Sequence, residues 1–116
     1  MVEITGSSKE LNKMEKYMMT ASNQATSMKD VPDNTEIPVK IWAFVNRMKE
    51  DTGETLELLS LFDGKNVYVA QSKTFLKNFE DIASLMDGED FKIRKISGIT
   101  KAGRDFIDCQ LVVENM

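Results

Sequence analysis

The sequence contains no histidine and only one cysteine among its 116 residues. The common zinc sites, and the catalytic arrangements that pair serine or cysteine with histidine, therefore cannot be built from this chain. The lone cysteine, Cys109, excludes an internal disulfide and is typical of proteins from reducing compartments. We expect no metal and no other cofactor, and we expect binding rather than enzymatic catalysis.

Long apolar runs are lacking as well. No stretch approaches the roughly 18 apolar residues that a membrane span needs, so no membrane association is expected. Residues 1–10 lack the basic stretch followed by an apolar core that a secretory signal has. The hydrophobic fraction of 41% and the charged fraction of 29% are those of an ordinary globular protein of one domain. The expected localisation is the cytoplasm.

Basic residues are a minority, but they are clustered. The net charge is −4, yet residues 37–49 contain three basic and no acidic residues, and residues 91–107 contain five basic residues and one acidic residue. We call these segments the first and second basic windows. Both also contain aromatic residues, and single-stranded nucleic acid needs this combination, because cations neutralise phosphates while rings stack on unpaired bases. The candidate contact residues are Lys40, Trp42, Phe44, Arg47, Lys49, Tyr68, Lys92, Arg94, Lys101, Arg104 and Phe106.

The N-terminal part has a helical pattern. Ser7 and Glu10 have the spacing of a capping box, and apolar residues then recur at helical spacing, which predicts a helix over residues 8–22. Residues 1–7 have no periodic pattern and are expected to be flexible. The methionine-rich face of this helix either packs on its own domain or forms a subunit contact.

From residue 37 onward the pattern changes to the two-residue alternation of strands. It predicts strands over residues 37–45, 54–62, 66–71, 91–99 and 106–113. Asp63-Gly64 is expected to form a hairpin turn. Ser72 caps a predicted helix that ends before Gly88, with Phe75 and Phe79 on its buried stripe.

The order of strand, strand, strand, helix, strand and strand is that of the OB-fold, a five-stranded Greek-key barrel. The expected fold is therefore all-β with helices: a five-stranded OB-fold barrel preceded by an N-terminal helix, with one domain over residues 8–113 and a short end at 114–116. In that barrel the two basic windows would flank one groove, because the loops after strands one and four both border the binding face.

Residues 53–61, 67–75 and 96–106 also resemble small phage-encoded single-stranded-DNA-binding proteins of the lactococcal-phage type. The most specific parts are the helix start Ser72-Lys73-Thr74-Phe75 and the turn Lys101-Ala102-Gly103-Arg104 followed by an aromatic residue. The resemblance extends over about residues 37–113. It implies an OB-fold protein that coats and protects single-stranded DNA without sequence preference during phage DNA replication or recombination, in the host cytoplasm. It also implies a homo-oligomer (dimer or tetramer) with phage replication or recombination proteins as partners.

Two alternatives remain at this stage. The chain could be an OB-fold protein-interaction or oligomeric regulatory module without a nucleic-acid ligand, whose aromatic residues form a subunit interface. RNA could replace DNA, because stacking does not distinguish the two sugars. Individual aromatic residues are open too: Trp42 and Phe44 either stack on bases or pack beneath the N-terminal helix, whereas Tyr68 and Phe106 are expected on the binding face.

Overall fold

The structure is a computed structural model that describes residues 2–20 and 25–113. This part of the chain is mostly β-strand with two helices: β1 (Val2–Ser7), α1 (Lys13–Thr20), β2 (Thr26–Ser27), β3 (Glu36–Val39), β4 (Ile41–Met48), β5 (Thr55–Phe62), β6 (Val67–Ala70), α2 (Lys73–Met86), β7 (Phe91–Ile99) and β8 (Asp105–Leu111). A five-stranded sheet has the order β1-β4-β5-β6-β2, and a three-stranded sheet has the order β3-β7-β8. Neither helix has both the length and the apolar character that a membrane span requires.

The helix and four of the five strands predicted after residue 36 are confirmed, with small differences at their ends, whereas the strand predicted over residues 37–45 is divided into β3 and β4. The Ser72 hydroxyl accepts a hydrogen bond from the backbone N–H of Phe75 at 3.4 Å, which is the predicted cap of α2. The last residue of this helix is Met86, and Asp87 forms its C-terminal cap with a left-handed φ of 45°. In the hairpin turn, the Asp63 carboxylate accepts hydrogen bonds from the backbone of Lys65 and Asn66.

The N-terminal predictions were wrong in two respects. Residues 2–7, expected to be flexible, form β1 and pair antiparallel with β4. The helix begins at Lys13 rather than at residue 8, because the capping box is formed by Asn12 and Glu15: the Asn12 side chain accepts from Glu15 N at 2.8 Å, and the Glu15 carboxylate accepts from Asn12 N at 3.0 Å. The predicted helix end at residue 22 and the end at 114–116 lie outside the described residues.

The first predicted strand bends at Lys40. This residue separates β3 from β4, and its backbone N–H donates to the Phe62 carbonyl at 2.8 Å. The bend shifts the alternation by one residue. Before the bend, Ile37 and Val39 face the main core. After it, the odd-numbered residues face a second cluster, which contains Leu11 and Met19; these residues are Ile41, Ala43 and Val45.

The sequence had predicted a closed five-stranded barrel, but the described strand pairings do not close one. β6 pairs with β5 on one side and with the short parallel strand β2 on the other, and β8 pairs with β7. The start of α2 lies against β8 instead: the Ser72 hydroxyl donates to the Ile107 carbonyl at 3.2 Å, and the Asn78 amide donates to Asp108 at 2.6 Å. A cleft consequently remains between β6 and β8.

The main core contains residues from both sheets and from α2. Phe75 and Phe79 of α2 are fully buried, together with Leu59, Leu61 and Ile93 from the strands. Each buried phenylalanine contributes roughly 1.5–3 kcal/mol of hydrophobic stabilisation. The predicted burial of Phe75 and Phe79 is confirmed, and Cys109 is buried as well. The core therefore fixes how α2 and the two sheets are oriented relative to one another.

Candidate nucleic-acid interface

The two basic windows meet where β3 pairs with β7. The register joins Pro38 to Lys92 and Val39 to Phe91, so the bend at Lys40 lies next to Phe91. Lys40, Phe91 and Lys92 line a cleft of about 240 Å³, and an adjoining cleft of about 130 Å³ is lined by Lys40, Phe91 and Trp42. We call these four residues the basic junction. It places two exposed lysines and two half-buried aromatic rings from separate parts of the chain on one surface, and both rings also contact Phe79.

Acidic residues border the same surface. Asp90 lines both clefts and Glu89 lines the smaller one. The side chains of Lys40 and Lys92 are exposed to solvent. Because two carboxylates stand near two ammonium groups, the local potential is weaker than the lysines alone would produce, and salt screens what remains over a Debye length of about 8 Å at physiological ionic strength.

The far ends of the windows are not paired with each other. From the junction, β4 continues toward Lys49. Because β7 is antiparallel to β3, it runs from the junction back past Glu36 and ends at the turn of residues 100–104. Lys49, Lys101 and Arg104 are exposed at these two turns. The described strand pairings thus join the windows at the junction, whereas the sequence had predicted that both turns would border one groove.

Both predicted arginine contacts within strands have partners inside the protein. Arg47 donates from Nη2 to the carbonyl of Thr20, the last residue of α1, at 2.6 Å, and its buried Nε has no hydrogen-bond partner among the described residues. Arg94 forms an ion pair with Glu36 across the β3–β7 ladder at 3.2 Å. We therefore assign a structural role to Arg47, which the sequence had grouped with the phosphate contacts, whereas the Arg94–Glu36 pair is partly exposed and Arg94 remains a candidate contact.

Trp42 and Phe44 pack against α2 rather than beneath α1. The two ring centroids lie 5.8 and 6.3 Å from that of Phe79, respectively, and 5.6 Å from each other, all in edge-to-face geometry. Both residues are half-buried, but only Trp42 is among the residues that line the junction clefts. Stacking on a base needs an accessible ring face. Trp42 thus remains a candidate, whereas Phe44 packs against the edge of the main core and does not line either junction cleft.

The other two predicted stacking residues also have partners. Tyr68 is half-buried against the main core, and its hydroxyl donates to the Asp63 carboxylate at 3.3 Å. Burial, and then the charge of Asp63, raise the pKa of Tyr68. Phe106 is half-buried, and its ring covers Gly98 on the neighbouring strand. A base that stacked on Tyr68 or Phe106 would compete with these contacts, although Phe106 also lines the large cleft between β6 and β8.

A separate cleft, of about 850 Å³, lies between β6 and β8, and we call it the inter-sheet cleft. Lys95, which is only 4% exposed, lines it and forms an ion pair with Asp33 at 3.1 Å. The other oxygen of Asp33 accepts from the Ser97 hydroxyl at 2.6 Å. Hydrogen bonds from Ser97 and then from Lys95 lower the pKa of Asp33. Lys95 follows Ile93 on the same face of β7, and it was not among the contact residues predicted from the sequence.

Comparison with known proteins assigns this chain to no family. No protein-family model matches this chain, and no curated protein or solved structure matches it either. Within residues 2–20 and 25–113, no group of three or more aspartate, glutamate or cysteine side chains is placed to hold a metal ion. The candidate surfaces are therefore the basic junction and the inter-sheet cleft.

Proposed function

We propose that this chain is a sequence-independent single-stranded-DNA-binding protein with an OB-like architecture. Its role would be to coat and protect single strands during phage DNA replication or recombination, as a homo-oligomer. The order of the elements supports the architecture: the meander β4-β5-β6 is followed by α2 and then by the hairpin β7–β8. The bent segment β3–β4 joins the two sheets, as the long first strand of an OB-fold does.

The basic junction is the single observation on which the proposal rests. Residues about fifty positions apart in the chain are brought together by the β3–β7 register, and they are the types that bind single strands: Lys40 and Lys92 for phosphates, and Trp42 and Phe91 for bases. Such contacts recognise the backbone and the ring faces that all nucleotides share. Binding by these residues would consequently depend little on sequence and strongly on salt.

The proposal can be tested with the intrinsic fluorescence of Trp42, the only tryptophan. We expect titration with oligo-dT to change this fluorescence at low salt, and the affinity to fall steeply as salt is raised. The double variant Lys40→Glu/Lys92→Glu should weaken binding by at least about tenfold, because two phosphate contacts are replaced by repulsion. Lys13→Glu/Lys77→Glu is the matched control, since it makes the same charge change at exposed helix positions.

Two outcomes would contradict the proposal. The first is the absence of any fluorescence change together with the absence of a gel shift on single strands. The second is an equal loss of affinity in both double variants, which would show that only the net charge matters. The experiment also tests the alternative, an interaction module without a nucleic-acid ligand. That alternative is favoured by the apolar surface of α1, where Met14 is 79% and Tyr17 is 62% exposed.

A further inference from the structure

The inner face of the three-stranded sheet changes from apolar to polar along β7. Ile93 is fully buried in the main core, and Lys95 and Ser97 follow on the same face at two-residue intervals. Both line the inter-sheet cleft. Burial of a lysine costs free energy that pairing only partly offsets, so a purely structural position would favour an apolar side chain. The polar residues here indicate a surface that meets a ligand.

The opposite wall of the cleft has complementary chemistry. Lys29, in the 3-10 turn that follows β2, and Gln71, at the end of β6, line the cleft, and both side chains are exposed. Val69 and Ile107, which are half-buried, supply apolar surface from β6 and β8. The cleft therefore combines two ammonium groups, an amide and an apolar surface, and the exposed Asp105 adds a carboxylate at its lining.

We propose that the inter-sheet cleft binds one nucleotide of the bound strand, an inference that rests on the proposed function. Lys29 and Lys95 contact the phosphate, and the base lies against Val69 and Ile107. The amide of Gln71 can donate to and accept from the polar edge of any base. The volume of about 850 Å³ is within the range of roughly 300–1,000 Å³ that is typical of small-ligand sites.

The Asp33 carboxylate gives Lys95 its orientation in this arrangement. An ammonium group has three N–H donors, and Asp33 accepts one of them at 3.1 Å, which leaves two for a phosphate. Asp33 also accepts from Ser97 at 2.6 Å, so the carboxylate holds both residues of β7 in place. A negative ligand must approach beside this carboxylate, and Lys29 on the facing wall supplies the charge that offsets it.

The test uses the full chain and the double variant Lys29→Ala/Gln71→Ala. Both side chains are exposed, so the variant should fold, and Lys77→Ala on α2 is the matched control. We expect the double variant to bind oligo-dT about tenfold more weakly than the control, because a charged contact and an amide contact are removed. Thymidine monophosphate should shift the amide NMR signals of Ser97 and Ile107 in the wild type but not in the double variant.

The outcomes separate this inference from the proposed function. If the wild type binds oligo-dT and the double variant binds it as tightly as Lys77→Ala does, the inference is overturned and the proposed function stands. If the wild type does not bind oligo-dT, the proposed function is overturned. In that case, shifts with thymidine monophosphate that vanish in the double variant would still support a site for a free nucleotide, and no shifts would overturn the cleft as well.

Discussion

The aromatic ring of Phe106 lies directly over Gly98 across the β7–β8 pair. A Cβ atom added to Gly98 would come within 2.7 Å of Phe106 Cζ, closer than real Cβ contacts. Glycine inside a strand has no side chain to pack, and a ring from the adjacent strand can cover the gap. The outward face predicted for Phe106 is compatible with this position, but the ring is already used in holding the hairpin together.

This contact predicts coupling between the two positions. Gly98→Ala should destabilise the protein by about 1–3 kcal/mol, because the ring must move away from the new methyl group. In a Phe106→Ala background the same substitution should be neutral or stabilising, since alanine suits a strand better than glycine. A double-mutant cycle from urea unfolding measures the coupling. Additive effects at the two positions would show that the ring does not rest on Gly98.

Arg47 provides a second prediction, because it links β4 to the end of α1. Arg47→Met retains most of the aliphatic stem and removes the hydrogen bond to the Thr20 carbonyl. We expect it to lower the free energy of unfolding by about 1–3 kcal/mol. We expect the affinity of the folded variant for oligo-dT to match that of Lys65→Met, a control in the exposed turn between β5 and β6. A large and selective loss of affinity in Arg47→Met would restore the phosphate contact that the sequence predicted.

The sequence predicted most of the strands after residue 36, the second helix and its cap because local signals determine them. Ser72, Asp63-Gly64 and the alternating segments each act over a few residues, and the structure contains all of these features. The capping box of α1 shows the limit of such signals. Both Ser7-x-x-Glu10 and Asn12-x-x-Glu15 have the required spacing, and only the pairing of β1 with β4 assigns Ser7 to a strand. That pairing joins residues about forty positions apart, which local patterns do not specify.

The candidate site was less predictable for the same physical reason. The bend at Lys40 reverses which parity faces the main core, so Trp42 and Phe44 pack on Phe79 although strict alternation placed them opposite Val39. Whether an arginine is available to a ligand depends on partners distant in sequence, such as Thr20 for Arg47. Clustering of charge selected the two segments that the β3–β7 pairing joins, but it could not assign each side chain a role.

The Asp33–Lys95 pair predicts how stability depends on pH. The pKa of Asp33 is lowered in the folded protein, by the hydrogen bond from Ser97 and then by Lys95. Its contribution is therefore fully present above the unfolded-state pKa of about 3.9, and it is lost as the pH falls below that value. Asp33→Asn should accordingly destabilise the protein at pH 7, and its difference from the wild type should shrink as the pH approaches 3.

Urea unfolding at a series of pH values from 7 to 3 would measure this difference. Asp81→Asn, at an exposed position of α2, is the matched control because it removes the same charge where no comparable ion pair is described. Lys95 is only 4% exposed, so at pH 7 Asp33→Asn leaves a buried ammonium group without its counter-charge. At low pH Asp33 of the wild type is protonated, so the ammonium group of Lys95 lacks its counter-charge there too, and the free energies of unfolding of the two proteins converge. A difference that stays constant down to pH 3 would mean that the Asp33 charge does not stabilise the fold through Lys95 and Ser97.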